Sequence, residues 1–370
     1  MHEEIVSKGL LETFALGNAL VDMYANCGFI QRALEYGDAM FALNCLDEMQ
    51  LKGVAPNAVA YVCCLIACGR IGDVEKGKEM HEEIVSKGLL ETFALGNALV
   101  DMYANCGFLQ RALEVFDILP KRDVISWNAL MSGYVKYEYG IKALNCLAQM
   151  EIEGVAPNAV AYVCCLIACG RIGDVEKGKE MHEEIVSKGL LETFALGNAL
   201  VDMYANCGFL QRALEVFDIL PKRDVISWNA LMSGYVKYED AMFALNCLDE
   251  MQLKGVAPNA VTYVCCLIAC GRIGDVEKGK EMHEEIVSKG LLETFALGNA
   301  LVDMYANCGF LQRALEVFDI LPKRDVISWN ALMSGYVKYE YGIKALNCLA
   351  QMEIEGVNPD FSTLVCGLKS

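Results

Sequence analysis

Proline is scarce in this chain, with seven residues in 370. Together with a hydrophobic content of 55%, that scarcity excludes an intrinsically disordered polymer. Long apolar runs are lacking too. The longest, AVAYVCCLIAC at 58–68, falls well short of the roughly 20 residues that cross a bilayer, and it reads as a buried helix. The opening MHEEIVSKGL has no n-region, h-region or cleavage site and is not Arg-rich, so no targeting segment is expected. Basic charge is in deficit: 31 Lys and Arg face 49 Asp and Glu, for a net charge of −18. That balance argues against a strong sequence-independent grip on nucleic acid, which depends on neutralising phosphates.

Catalytic signatures are also missing. There is no His-Glu-x-x-His, no phosphate loop and no Gly-x-Ser-x-Gly. MHEEIVSKG contains His-x-Glu (His81 with Glu83, His182 with Glu184), half of a zinc deaminase signature. The other half, Pro-Cys-x-x-Cys, is absent, as is any Cys-x-x-Cys. The expectation is a protein that binds without catalysing and holds no metal or cofactor. The eighteen cysteines recur inside apolar helical stretches (Cys63, Cys64 and Cys68; Cys106; Cys146) and are expected as reduced core residues.

What the chain has is repetition. DVISWNALMSGYVKY occupies 123–137 and returns at 224–238 and 325–339, a period of 101 residues. Within it Trp127, Leu130, Met131, Tyr134 and Val135 recur at the spacing of an amphipathic helix. The 101-mer divides as 35 + 35 + 31, at 124–158, 159–193 and 194–224. Each part reads as helix, Gly-containing break, helix and connector. Two short helices cannot bury their apolar faces alone, but stacking on neighbours does so. The expected fold is therefore all-α, an α-solenoid superhelix of helix-turn-helix repeats.

The 35/35/31 spacing, WNALMSGY and GNALVDMYANCG resemble the pentatricopeptide repeat family, specifically its PLS subclass of alternating P, L and S motifs. Tetratricopeptide arrays fit less well, because their 34-residue period and W-x₂-L-G-x₂-Y pattern are absent. In this register residues 1–57 hold a partial L, an S and a truncated P motif. Nine complete motifs in L-S-P order fill 58–360, and a partial L motif closes the chain at 361–370, all in one continuous solenoid domain. The copies are nearly identical letter for letter, which points to a designed consensus array produced recombinantly. Between 28 and 44 the pattern is 22 residues short, so a missing segment is expected at Glu35–Tyr36. The family is plastid or mitochondrial, and its editing-type members carry a deaminase-like extension. This chain stops at STLVCGLKS, inside an L motif.

Asn128 is fifth in its P motif and Asn198 fifth in its S motif, in the first turn of a helix and off its apolar stripe. An amide there carries two donors and two acceptor lone pairs, a set suited to the edges of unpaired bases. The alternative is a solvated helix start, where Asn and Asp are common caps. The resemblance implies that the fifth and last residues of a motif together choose a base. Asn97 with Asp123, Asn198 with Asp224, Asn299 with Asp325 and Asn330 with Asp360 are then uracil-like. Asn128 with Asn158 and Asn229 with Asn259 suit cytosine or uracil. Second-position Ile125, Val160, Ile226, Val261 and Ile327 would pack on base faces. Lys136, Arg171, Lys237, Arg272 and Lys338, at position 13, are assigned to phosphates, as is Arg70, while Asp202 and its copies near the same face oppose them.

The L motifs have Val62, Val163 and Val264 fifth and Thr92, Thr193 and Thr294 last, so no selectivity is expected there. Their first helices are apolar almost all round, leaving either an exposed patch or burial between repeats. The resemblance implies that L motifs contact small organellar RNA-editing cofactor proteins. The expected function is binding of pyrimidine-rich single-stranded RNA, one base per repeat, as in plant organellar RNA-editing specificity factors, with affinity that is modest and falls with salt. A protein-interaction scaffold acting through the L motifs is the alternative.

Overall fold

A computed structural model describes residues 36–238 and 240–369. The expected gap at Glu35–Tyr36 and the motifs before it lie outside the described residues. Those described form twenty α-helices and three one-turn 3₁₀ helices, with no strand among them. The fold is all-α, of the α-solenoid kind. The chain divides into two compact units, one ending at Ile172 and the other beginning at Gly173.

The first unit contains α1 (Tyr36–Leu51), α2 (Ala58–Ile71), α3 (Val74–Ser86), α4 (Phe93–Asn105), α5 (Leu109–Asp117), α6 (Val124–Lys136), α7 (Gly140–Ile152) and α8 (Ala159–Ile172). In the second are α9 (Val175–Ser187), α10 (Phe194–Asn206), α11 (Leu210–Ile219), α12 (Val225–Lys237), α13 (Ala241–Leu253) and α14 (Ala260–Ile273). It continues with α15 (Val276–Ser288), α16 (Phe295–Asn307), α17 (Leu311–Asp319), α18 (Val326–Lys338), α19 (Gly342–Ile354) and α20 (Phe361–Lys369). The first helices start at 58, 93, 124, 159, 194, 225, 260, 295, 326 and 361, the first residue of a motif in the sequence register. Within each unit, successive first helices pack on one another, and second helices pack mainly on first helices. Two layers result, with the core between them.

The repeating apolar stripe is that core. Trp127, Leu130, Met131, Tyr134 and Val135 are all buried, and Trp127 meets Phe116 of the preceding motif edge-on with ring centroids 4.6 Å apart. The same ring pair recurs as Phe217–Trp228 and Phe318–Trp329. Cys64, Cys68 and Cys146 are buried thiols, and burial pushes Cys68 and Cys146 up to about 12. They pack as small hydrophobes rather than reacting as thiolates.

First helices approach closely because small residues face each other. A Cβ on Gly234 would lie 2.6 Å from the Cβ of Ala205 and 3.1 Å from its Cα. Gly133 and Gly335 face Ala104 and Ala306 in the same way. At the breaks, Gly72 and Gly274 cap their helices at φ of 77° and 78°, a left-handed conformation that favours glycine. Glu138 and Glu340 hold φ of 66° and 65° without being glycine.

Three buried histidines tie the L motif's second helix to the S motif that follows. His81, His182 and His283 each place Nδ1 3.0 Å from a hydroxyl, of Tyr103, Tyr204 and Tyr305. Burial lowers their pKa below the usual histidine value; Arg111, Arg212 and Arg313 push the same way, against weaker opposition from Glu82, Glu183 and Glu284. The folded state thus favours neutral imidazoles, and their stabilisation is complete above the unfolded value of about 6.5. It is lost as pH falls from there through the lower folded values.

Two outcomes follow. Gly234→Ala gains helix propensity but forces the α10–α12 contact apart, and should lower stability by about 1–3 kcal/mol in urea unfolding; an unchanged midpoint would contradict the close approach. Melting temperature should drop between pH 7.5 and pH 5. The drop should be shallower when His81, His182 and His283 are all replaced by Gln; equal drops would remove the histidines from the account.

Candidate nucleic-acid interface

Every first helix begins with backbone N–H groups that lack an intrahelical partner. At the first helices of the P and L motifs the last residue of the motif before supplies one, whereas Thr92, Thr193 and Thr294 before the S-motif helices make no side-chain cap bond. Asp123 accepts from the N–H of Ile125 at 3.0 Å and of Ser126 at 2.9 Å, and Ser126 Oγ accepts from the Asp123 N–H at 3.0 Å. Asp224 caps α12 by accepting from the N–H of Ile226 and Ser227, and Asp325 caps α18 by accepting from that of Ser328. Asn158 Oδ1 accepts from Ala161 N–H at 3.0 Å, Asn259 Oδ1 from Thr262 N–H at 3.1 Å, and Asp360 Oδ1 from Thr363 N–H at 2.8 Å. These residues are helix caps.

They are also bonded to the fifth residues. Asn97 Nδ2 donates to both oxygens of Asp123, at 3.1 and 3.2 Å. Asn198 and Asp224 do the same at 3.1 and 3.3 Å, and Asn299 and Asp325 at 3.1 Å twice. In the P motifs, Asn128 Nδ2 donates to Asn158 Oδ1 at 3.2 Å, Asn229 to Asn259 at 3.0 Å, and Asn330 to Asp360 at 3.0 Å. Sequence reasoning set capping against base reading; the structure shows the last residues as caps and pairs each with a fifth amide. Asn97, Asn198, Asn229 and Asn299 are only 8% exposed, so the outward-facing groups belong mainly to the last residues.

The capping bonds decide which groups remain. On Asp123 and Asp224 they fall on Oδ1, leaving Oδ2 with acceptor capacity to spare. On Asn158 and Asn259 the Oδ1 is used by the cap and by the fifth amide, and Nδ2 is left as a donor. Asp360 keeps Oδ2 as an acceptor, and bonds from Thr363 and Asn330 hold its carboxyl below the usual carboxylate range. S slots therefore offer an acceptor, and the Asn–Asn slots a donor.

Second-position side chains stand clear of the core: Ile125, Ile226 and Ile327 are about 60% exposed, and Val160 and Val261 about half. Position 13 is partly occupied. Lys136, Lys237 and Lys338 donate to the carbonyls of Asn105, Asn206 and Asn307, at 2.7, 2.9 and 2.8 Å, near the end of the preceding first helix. Arg171 and Arg272 donate to the carbonyls of Val135 and Val236. The sequence did not reveal these bonds, which answer the unpaired carbonyls at helix ends; the five side chains remain solvent-exposed. Asp101, mostly buried, lies in the field of Arg70 and Lys136. Burial raises its pKa, opposed by a bond from Asn105 and by the two cations. Asp303 is placed likewise between Arg272 and Lys338.

The L slots lack such a pair. Val62, Val163 and Val264 are half-buried, and the Thr92 and Thr294 hydroxyls donate to Leu89 and Leu291 carbonyls. Of the large apolar side chains on α14, Val261 and Ile273 alone are well exposed, and the rest of the helix is largely core. Among the described residues, no group of three or more His, Cys, Asp or Glu is arranged to hold a metal ion.

A model of the PPR repeat matches residues 59–89, 97–124, 160–190, 198–225, 261–291, 299–326 and 327–357. A model of the PPR repeat family matches 122–171 and 223–272. One similar Arabidopsis thaliana protein, named pentatricopeptide repeat-containing, is 32% identical over 364 residues, covering 98% of this chain and 63% of its own length. A second is 30% identical over 392 residues, covering 100% of this chain and 57% of that protein. A third, named chloroplastic, is 34% identical over 337 residues, or 88% of this chain and 38% of that protein. The chain thus spans between 38% and 63% of the length of these relatives. Among solved structures, the pentatricopeptide repeat protein PPR10 in complex with an 18-nt psaJ RNA element matches at a TM-score of 0.73 and 17% identity, over 100% of this chain and 54% of that one. PPR10 from maize matches at 0.64, also at 17% identity, over 99% and 57%. At that identity the likeness shows the fold.

Asp224→Ala should cost stability twice, through the α12 cap and through the bonds from Asn198, by about 1–3 kcal/mol together. Asp224→Asn keeps a capping oxygen and should lose less. Equal losses in urea unfolding would show that these bonds carry no weight.

Proposed function

This chain belongs to the pentatricopeptide repeat family, and on that premise we propose that it binds single-stranded RNA, one base per P or S motif, with a preference for pyrimidines. The observation that carries the reading is the recurring pair of a fifth-position amide and a capping Asp or Asn. Its unused groups match pyrimidine edges. A carboxylate only accepts, which suits uracil N3–H; a spare amide donor suits cytosine N3. S slots and the Asn330–Asp360 slot are read as uracil-selecting, and the two Asn–Asn slots as cytosine- or uracil-selecting.

Around each pair, the exposed second-position Ile and Val supply apolar surface for base faces, and Lys136, Arg171, Lys237, Arg272 and Lys338 supply positive charge for phosphates. The likeness to an RNA-bound pentatricopeptide repeat protein supports the same ligand class. The motif order supports assignment to the PLS subclass, and near-identity of the copies supports a designed consensus. Several relatives named chloroplastic support an organellar setting for the natural counterparts. The chemistry is binding, with catalysis left to other proteins. The L motifs, lacking a polar pair, are read as sites for small RNA-editing cofactor proteins.

In a filter-binding or fluorescence assay, a pyrimidine-rich single strand should bind more tightly than a purine strand of equal length. Asn198→Ala combined with Asn299→Ala should weaken that binding by about tenfold or more, as each removal deletes one or more polar contacts. Affinity should fall with added salt in proportion to the number of phosphates neutralised. Equal affinity for purine and pyrimidine strands would instead leave a protein-interaction scaffold as the function.

A further inference from the structure

Two slots carry the same letters, Asn128 with Asn158 and Asn229 with Asn259, and should read the same base if only those two positions matter. Their hydrogen bonding differs. Asn229 Oδ1 accepts from Thr262 Oγ1 at 2.7 Å, and Thr262 Oγ1 also accepts from the Asn259 N–H at 3.2 Å. The third slot repeats the first of these bonds, with Thr363 Oγ1 donating to Asn330 Oδ1 at 2.6 Å. In the Asn128 slot the equivalent residue is Ala161, and Asn128 Oδ1 is buried with no hydrogen-bond partner.

We infer that the third residue of the following motif sets how sharply a P slot discriminates cytosine from uracil, Thr262 enforcing a donor-presenting state that Ala161 leaves loose. With Thr262, the hydroxyl holds Asn229 Oδ1. Asn229 Nδ2 must then face Asn259 Oδ1, and Asn259 Nδ2 is the group left for a base. An amide donor suits cytosine N3 and opposes uracil N3–H. With Ala161, nothing holds Asn128 Oδ1. Rotating both amides of the pair by half a turn would give Asn128 a donor on its other side and point the Asn158 oxygen outward, as uracil requires. That inversion breaks one cap bond, to Ala161 N–H. It also exchanges the partnerless oxygen at the buried position for a partnerless Nδ2, so the lost cap bond is the main difference between the two states. Inversion thus costs about one cap bond here and the Thr262 hydroxyl bond as well at the Asn229 slot, so the Asn128 slot discriminates the two pyrimidines less sharply. Thr262 acts through Asn229 as a positioning residue and need not touch the RNA.

This inference rests on the proposed RNA function. The test uses the full chain and a panel of single strands that differ only in the base opposite one P slot. The cytosine-to-uracil affinity ratio should be larger at the Asn229 slot than at the Asn128 slot. Thr262→Val, which keeps the shape and removes the hydroxyl, should shrink the ratio about three- to tenfold, the span of one net hydrogen bond. Thr262→Ser should restore it, and Ala161→Thr should raise the ratio at the Asn128 slot by a similar factor. Thermal melting without RNA reads the hydrogen bond separately: Ala161→Thr should raise the midpoint and Thr262→Val lower it. Ratios that are equal at the two slots, or that do not move with these substitutions while RNA still binds, would overturn the inference alone. Failure of the unaltered chain to bind any strand would overturn the function and this inference together, whatever the melting shifts.

Discussion

One side chain serves two helices at each P and S boundary, and the candidate site depends on that arrangement. The Asp or Asn that ends a motif caps the next first helix and accepts the amide from the first helix before it. Backbone N–H groups at a helix start must find acceptors, and the end of the helix dipole favours a carboxylate there. Capping therefore fixes the rotamer of the last residue for reasons unrelated to any ligand. The fifth amide then has one good partner, and the polar edge presented outward is set before anything binds. A site ordered by folding loses less freedom on association than one ordered by its ligand.

Charge is the second constraint. On the proposed function, a chain at −18 has to keep its acids away from the surface that would meet phosphates. The second helices hold many of them in water, paired at short range with bases of the same helix, as in Lys78–Glu75, Lys179–Glu176 and Lys280–Glu277. Such exposed pairs add little stability, but they keep local charge mixed. On the first helices, Asp101 and Asp303 face cations from the motifs on either side. The position-13 bases thus answer carbonyls and carboxylates of their own protein before any phosphate, which is consistent with modest affinity rather than tight non-specific binding.

The fold was legible because its determinants repeat. A period of 101 and a stripe at Trp127, Leu130, Met131, Tyr134 and Val135 state the same helix three times, and the helix starts fall on the register they define. The candidate positions were legible too, since the fifth and last residues do meet. Their bonding was not. A cap and a base-reading group look alike in one letter, and only coordinates tell that these side chains cap the next helix while bonded to a fifth amide. The carbonyls that bind Lys136 and Arg171 are backbone groups of another motif, 31 and 36 residues away in the chain, and leave no mark in the sequence. Four of the fifth amides, Asn97, Asn198, Asn229 and Asn299, are covered almost completely by their neighbours, and Asn128 and Asn330 are half-buried, which the letters did not reveal.

Because stacked repeats touch mainly their neighbours, the environment of any side chain is written partly in the next motif. Asn128 and Asn229 lie on first helices of identical sequence, VISWNALMSGYVK, in motifs that both end in Asn, and the third residue of the motif that comes after is alanine in one case and threonine in the other. One hydroxyl decides whether a buried oxygen has a donor, and with it how many bonds hold the amide in its orientation. A reading scheme assigned motif by motif omits that term. In an array whose copies are otherwise almost the same, the Ala161–Thr262 difference separates the intrinsic chemistry of a slot from the constraint its neighbour imposes. The second is as physical a part of selectivity as the first.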